Sequence, residues 1–96
     1  MHLEIVTPEA VLLSSEVDSV SVPGVNGQFQ MLNNHAPIVS VLNKGEIRVF
    51  THSSNVNSEE ISKLFKRDAK DSKILVLPVE GGVVEMKDNK VIVLAD

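Results

Sequence analysis

Apolar and polar residues alternate along much of this chain, and the places where alternation fails divide it into short strands. Residues 2–6 put Leu3 and Ile5 on one face before Thr7 and Pro8 break the run, which predicts a short strand at a sheet edge. Residues 11–22 are apolar at both ends, but the alternation that turns Val20 and Val22 inward also turns Asp18 inward. The register must slip between Val17 and Val20, by a β-bulge or a twist.

Residues 22–37 hold two turn signals, Pro23-Gly24 and Asn26-Gly27, followed by Phe29 and Met31 two apart, as on a strand with one buried face. A doubled-back loop presenting a tip is expected. Residues 37–42 are nearly all apolar and residues 46–50 alternate, predicting two antiparallel strands around Gly45. From 51 to 73 the chain turns polar. There Asn57 or Ser58 can cap a helix, Glu59 and Glu60 suit its first turn, and Ile61, Leu64 and Phe65 fall at helical spacing, predicting a short amphipathic helix over 58–69. Residues 74–79 return to strand, Glu80 to Gly82 interrupt, and residues 83–87 and 91–95 flank an Asp88-Asn89 turn that sets Met86 opposite Val91 and Val84 opposite Val93.

Length and composition narrow this to an all-β domain. Its 96 residues suit one domain over 1–96, with 51–73 as a polar, partly helical insertion. Val, Ile and Leu supply the apolar content, with three Phe and no Trp or Tyr, which favours a pleated, half-buried surface. Many short strands separated by turns predict a flattened antiparallel β-sandwich or barrel. A net charge of −4 without a basic stripe or aromatic platform argues against nucleic acid. The absence of cysteine removes disulfide and thiolate chemistry. The first residues lack a signal-peptide pattern, and the longest apolar run, 74–79, is far short of the roughly 20 residues that span a bilayer, so no direct membrane insertion is expected.

Candidate chemistry is sparse. His2, His35 and His52 lie in separate segments without a second ligand at metal spacing, so no metal is expected. No serine sits in a nucleophile-elbow context, and Gly24 and Gly27 open no phosphate-binding helix, so neither a catalytic residue nor a cofactor is assigned. The stripe of Ile61, Leu64 and Phe65 reads either as a docking helix or as the face that seals the insertion onto the sandwich; the second needs no partner, since so short a helix must pack on something.

Several separated pieces, in order, carry a family resemblance. They are residues 3–8, 15–24, 27–31, His35-Ala36-Pro37, 44–49, Gly81-Gly82 with residues 83–85, and 91–96. Together they make the chain similar to the N-terminal β-sandwich domain of the epsilon subunit of F-type ATP synthases. The resemblance implies about ten strands in a non-catalytic rotor subunit at the foot of the central stalk. Such a subunit binds gamma and touches the membrane ring of c subunits, on the cytoplasmic side of the inner (plasma) membrane, coupling proton flow to ATP synthesis. By motif position it implies ring contact at Asn26, Gly27, Gln28 and His35; the gamma-facing residues are not assignable from sequence.

Three departures stand out against the family pattern. Asn26, Gln28, Asn33 and Asn34 replace the usual acidic residues and Pro-Gly turn, so contact by shape and neutral hydrogen bonds is expected. The 51–73 insertion is longer than the common connection. The chain also stops at Asp96 where relatives continue into a helical hairpin that carries self-inhibition, so that activity is not expected within it. A freestanding β-sandwich binding or structural module is the alternative reading, with a small hydrolase third.

Overall fold

The computed structural model describes residues 1–51, 64–71 and 73–96. Among the described residues, alternation is realised in ten strands: β1 (His2–Val6), β2 (Val11–Glu16), β3 (Ser19–Gly24), β4 (Gly27–Leu32), β5 (Ile38–Leu42), β6 (Gly45–Phe50), β7 (Lys66–Arg67), β8 (Ile74–Val79), β9 (Gly82–Lys87) and β10 (Lys90–Ala95). Hydrogen bonds link them in the order β2-β1-β10-β9-β5-β3-β6-β8-β7, with β4 on the remaining edge of β3. The middle of that path is thin, because β5 meets β3 only through Leu42 and Gly24. The path bends there into two halves whose inward side chains share one core. Leu3, Ile5, Val84, Met86, Val91 and Val93 from one half meet Val20, Val22, Met31, Ile47, Val49 and Leu75 from the other, all essentially inaccessible to water.

Local expectations hold best. The β9–β10 hairpin pairs Met86 with Val91 and Val84 with Val93, around Asp88 and Asn89 at φ 53° and 61°, the left-handed pair that a tight hairpin turn requires. Met31 is buried and Phe29 packs against the core.

Long-range expectations need correction. β1 is not an edge: it pairs in parallel with β10, Leu3 against Val91 and Ile5 against Val93, and antiparallel with β2, which forms the edge. The chain does not slip register between Val17 and Val20; it leaves one half and enters the other, since β2 pairs with β1 and β3 with β4 and β6. The irregularity lies earlier, where Ile5 faces Leu13 and Val6 faces Val11. Leu12 and Leu13 consequently both turn inward, one residue more than alternation allows. β5 and β6 are consecutive without pairing: β5 bonds to β9 and β6 to β8 and β3. The corner between them wraps β3, with the Asn43 N–H donating to the Pro23 carbonyl at 2.8 Å.

Of the helix expected over 58–69, residues 58–63 lie outside the described residues. From Leu64 onward the backbone is not helical. Lys66 and Arg67 pair with Val76 and Leu75, and the Asp68 carboxylate accepts the Lys70 and Asp71 N–H groups at 3.0 and 3.2 Å, so these amides have partners that a helix would have to replace. Of the stripe expected on the helix, Phe65 packs on the core, Leu64 is exposed, and Ile61 lies outside the described residues.

Candidate partner-binding surfaces

The β3–β4 hairpin ends in a tip of two residues, Val25 and Asn26, between the paired glycines Gly24 and Gly27. Only Gly27 has a positive φ, 117°; Pro23 and Gly24 belong to β3 and form no turn of their own. Gly24 serves a different purpose, because a Cβ there would lie 2.7 Å from the Phe29 ring. The base of the hairpin is braced by Asn43 and by Gly45, where a Cβ would come within 2.7 Å of the Pro23 ring. Gln28 does not reach outward freely. Its amide donates to Ser21 Oγ at 2.8 Å and to the Glu46 carbonyl at 3.1 Å, and Gln30 repeats the pattern on Ser19 Oγ at 2.9 Å.

His35 stands at the other end of β4. Five strand steps separate Gly27 from Leu32, about 17 Å at the usual rise, so Asn26, Gly27 and Gln28 cluster and His35 does not join them. The His35 N–H closes a turn on the Leu32 carbonyl at 3.1 Å, with Asn34 at φ 62°, a conformation asparagine adopts more readily than most residues. That turn is tied down: Asn34 N–H donates to Asn89 Oδ1 at 2.8 Å, and Asn33 Oδ1 accepts from the Met1 amine at 3.1 Å. The exposed His35 ring lies 2.8 Å from the Ala36 carbonyl through Nδ1. His2 is engaged by Glu4 and Glu16 at 3.4 and 3.7 Å, and His52 lies outside the described residues.

The two outer faces differ in chemistry. Across the β2-β1-β10-β9-β5 half, the register sets Val11, Val6, Leu94, Val83 and Val41 side by side, one from each strand. Four of them are exposed, Val11 at 63%, Leu94 at 54%, Val83 at 39% and Val41 at 58%. At about 4.8 Å between strands the row is roughly 19 Å long. Val6, Leu94, Val83 and Val41 also line a groove of about 530 Å³ with Thr7, Pro8 and Gly82. The next row, Ser14, Glu4, Ile92, Glu85 and Val39, is mixed, and the third, Glu16, His2, Lys90 and Lys87, is charged. Charges of these two rows meet across the strands, as when Glu4 of the second row meets Lys90 of the third at 3.6 Å.

On the other half the outward positions of β4, β3 and β6 carry the Gln28, Gln30, Ser19 and Ser21 bonds and Arg48. Arg48 donates to Asp68 at 2.6 Å. That hydrogen bond, with help from the Lys70 N–H, holds the Asp68 carboxyl below its ordinary value.

Sequence reasoning missed the apolar row. The signal for it was present in runs such as 37–42 and 91–95, which are apolar on consecutive positions where a half-exposed strand should alternate.

The family profile described as ATP synthase, Delta/Epsilon chain, beta-sandwich domain matches residues 1–65. The ATP synthase epsilon chain of Leptospira interrogans is 36% identical over the whole chain, covering 61% of that relative. The epsilon chain of Nitratidesulfovibrio vulgaris (strain Miyazaki F) is 40% identical over the same span, covering 58% of it. The chain thus spans about three-fifths of the length of the curated relatives it matches. A chain in the central stalk/c-ring structure of the Tetrahymena thermophila mitochondrial ATP synthase shares the fold, with a TM-score of 0.70 at 16% identity over 99% of this chain and 62% of that one.

Proposed function

The chain belongs to the delta/epsilon β-sandwich family of ATP synthases, and from that membership we propose that it is a non-catalytic central-stalk subunit of a proton-translocating F-type synthase. It binds gamma, meets the c-subunit ring, and is held on the cytoplasmic side of the membrane through the complex. Torque passes through packed strands, which resist shear because every hydrogen bond in a ladder must move together.

The observation that carries this reading is the exposed row Val11, Val6, Leu94, Val83 and Val41. An apolar strip across a whole sheet half, beside a groove, is what a permanent subunit contact needs and what a lone soluble domain avoids. Covering these side chains contributes roughly 1 kcal/mol each, given that each is already partly buried. We assign gamma to this strip and the ring to the β3–β4 tip around Asn26, Gly27 and Gln28. His35, on the far end of β4, reaches the same ring only when the hairpin lies along it side-on.

The experiment is co-elution of the purified protein with the gamma subunit. Wild type is expected to migrate with gamma, and the double variant Leu94→Glu, Val83→Glu to elute alone while keeping its β-type circular dichroism. A wild-type protein that stays free of a well-folded gamma refutes the proposal.

A further inference from the structure

We propose that Asn26 is a self-modification site, where the chain converts its own side-chain amide to a carboxylate with water as the only co-reactant. Solvent hydroxide takes the proton of the Gly27 backbone N–H, and that nitrogen attacks Asn26 Cγ. The amide nitrogen leaves as ammonia, and water opens the resulting succinimide at one carbonyl or the other, giving aspartate or isoaspartate. The chemistry is independent of the rotor assignment. Three observations carry it.

First, the residue pair suits ring closure. A side chain on the following residue obstructs the approach of its nitrogen to Cγ, and of the asparagines at 26, 33, 34, 43, 55, 57 and 89 only Asn26 precedes a glycine. A Cβ at Gly27 would meet nothing within 4 Å, so no neighbouring segment crowds that side of the residue.

Second, the Asn26 amide is idle where its rivals are engaged. It is exposed and has no hydrogen-bond partner among the described residues. Asn33 Oδ1 accepts from the Met1 amine at 3.1 Å, and Asn89 Oδ1 accepts from the Asn34 N–H at 2.8 Å. That second bond also occupies the nitrogen that would attack Asn33. The nitrogen that would attack Asn34 belongs to His35, and it donates to the Leu32 carbonyl at 3.1 Å.

Third, the reacting nitrogen can be released cheaply. Gly24 and Gly27 form the last rung of the β3–β4 ladder, and terminal rungs open before interior ones. Gly27 therefore leaves its rung while the braced base of the hairpin stays closed.

Either product places a carboxylate in residues 22–30, which contain no charged side chain. Isoaspartate does more, because the backbone then runs through the former side chain and gains one carbon inside a two-residue turn. Gly24 and Gly27 no longer meet in register, and the adjacent Gln28 bonds to Ser21 Oγ and the Glu46 carbonyl are pulled out of line. The hairpin thus carries an irreversible record of the age of the molecule.

The test holds the full chain at physiological temperature in mildly alkaline buffer and follows it by anion exchange, intact mass and peptide fragmentation that separates aspartate from isoaspartate. Asn26 is expected to convert at least fivefold faster than any other asparagine, with both products present, and Asn26→Ser to lose that fast phase. The isoaspartate form is expected to melt below wild type and Asn26→Asp to melt with it. Another asparagine converting as fast as Asn26, or Asn26→Ser acidifying at the wild-type rate, overturns the site. Aspartate without isoaspartate is the mark of direct hydrolysis and overturns the ring-closing route. Isoaspartate that melts with wild type overturns the effect on the hairpin.

Discussion

The two halves of the sandwich solve the same inward problem in the same way and face outward in opposite ways. On the β2-β1-β10-β9-β5 half, polar residues gather at one end and pair with one another, leaving an apolar row at the other end without a partner. On the β4-β3-β6-β8 half, the side-chain amides and hydroxyls of Gln28, Gln30, Ser19 and Ser21 satisfy each other across the strands. A face whose groups are mutually satisfied is finished as a surface. A face with a continuous apolar row is finished only when something covers it, and that difference separates a partner-facing side from a solvent-facing one more sharply than net charge does.

The largest effect that sharpens this contrast comes from adjacent residues on β1. Ile5 is fully buried between Leu13 and Val93, whereas Val6 points outward in the apolar row. Ile5→Ala is expected to cost about 2–5 kcal/mol in urea unfolding, and Val6→Ala less than about 1 kcal/mol while weakening gamma binding. Equal costs for both would mean that the outer row is core, and the distinction between faces would collapse.

Smaller effects are expected on the satisfied face. Gln30→Ala removes one side-chain bond to Ser19 at a partly buried position and should cost about 1 kcal/mol, with gamma co-elution unchanged. Loss of gamma binding in that variant would move the interface to the wrong half.

The smallest effect is acid sensitivity confined to the Arg48–Asp68 tie. Asp68 has a folded value below its ordinary 3.8, so its contribution is complete above the unfolded value and disappears only as pH falls through the lower, folded one. Limited proteolysis within 64–71 should be no faster at pH 5 than at pH 7 and should rise below pH 4. Asp68→Asn should show that faster cleavage already at neutral pH.

Legibility followed the distance along the chain between interacting groups. The β9–β10 register and its Asp88-Asn89 turn could be read directly, because residues 82–95 contain both strands and the turn that aligns them. The parallel pairing of β1 with β10 could not, since strands at opposite ends of the chain carry no local mark of each other. The same holds for β5 and β6, which look like a hairpin in sequence and part around β3 because Asn43 and Gly45 are held by Pro23. Among site residues, the tip was legible from Asn26 and Gly27. The engagement of Gln28 was not, as its partners Ser21 and Glu46 meet it only across strands.

Sequence by itself determined that this protein is β and where many of its strands and turns fall, because alternation, turn chemistry and β-branched side chains act over a few residues at a time. Tertiary structure alone decided which strands are neighbours, and hence that Val11, Val6, Leu94, Val83 and Val41 form one row. Each is an unremarkable outward-facing residue on its own strand. They become a surface only when hydrogen bonding between distant segments sets them in register.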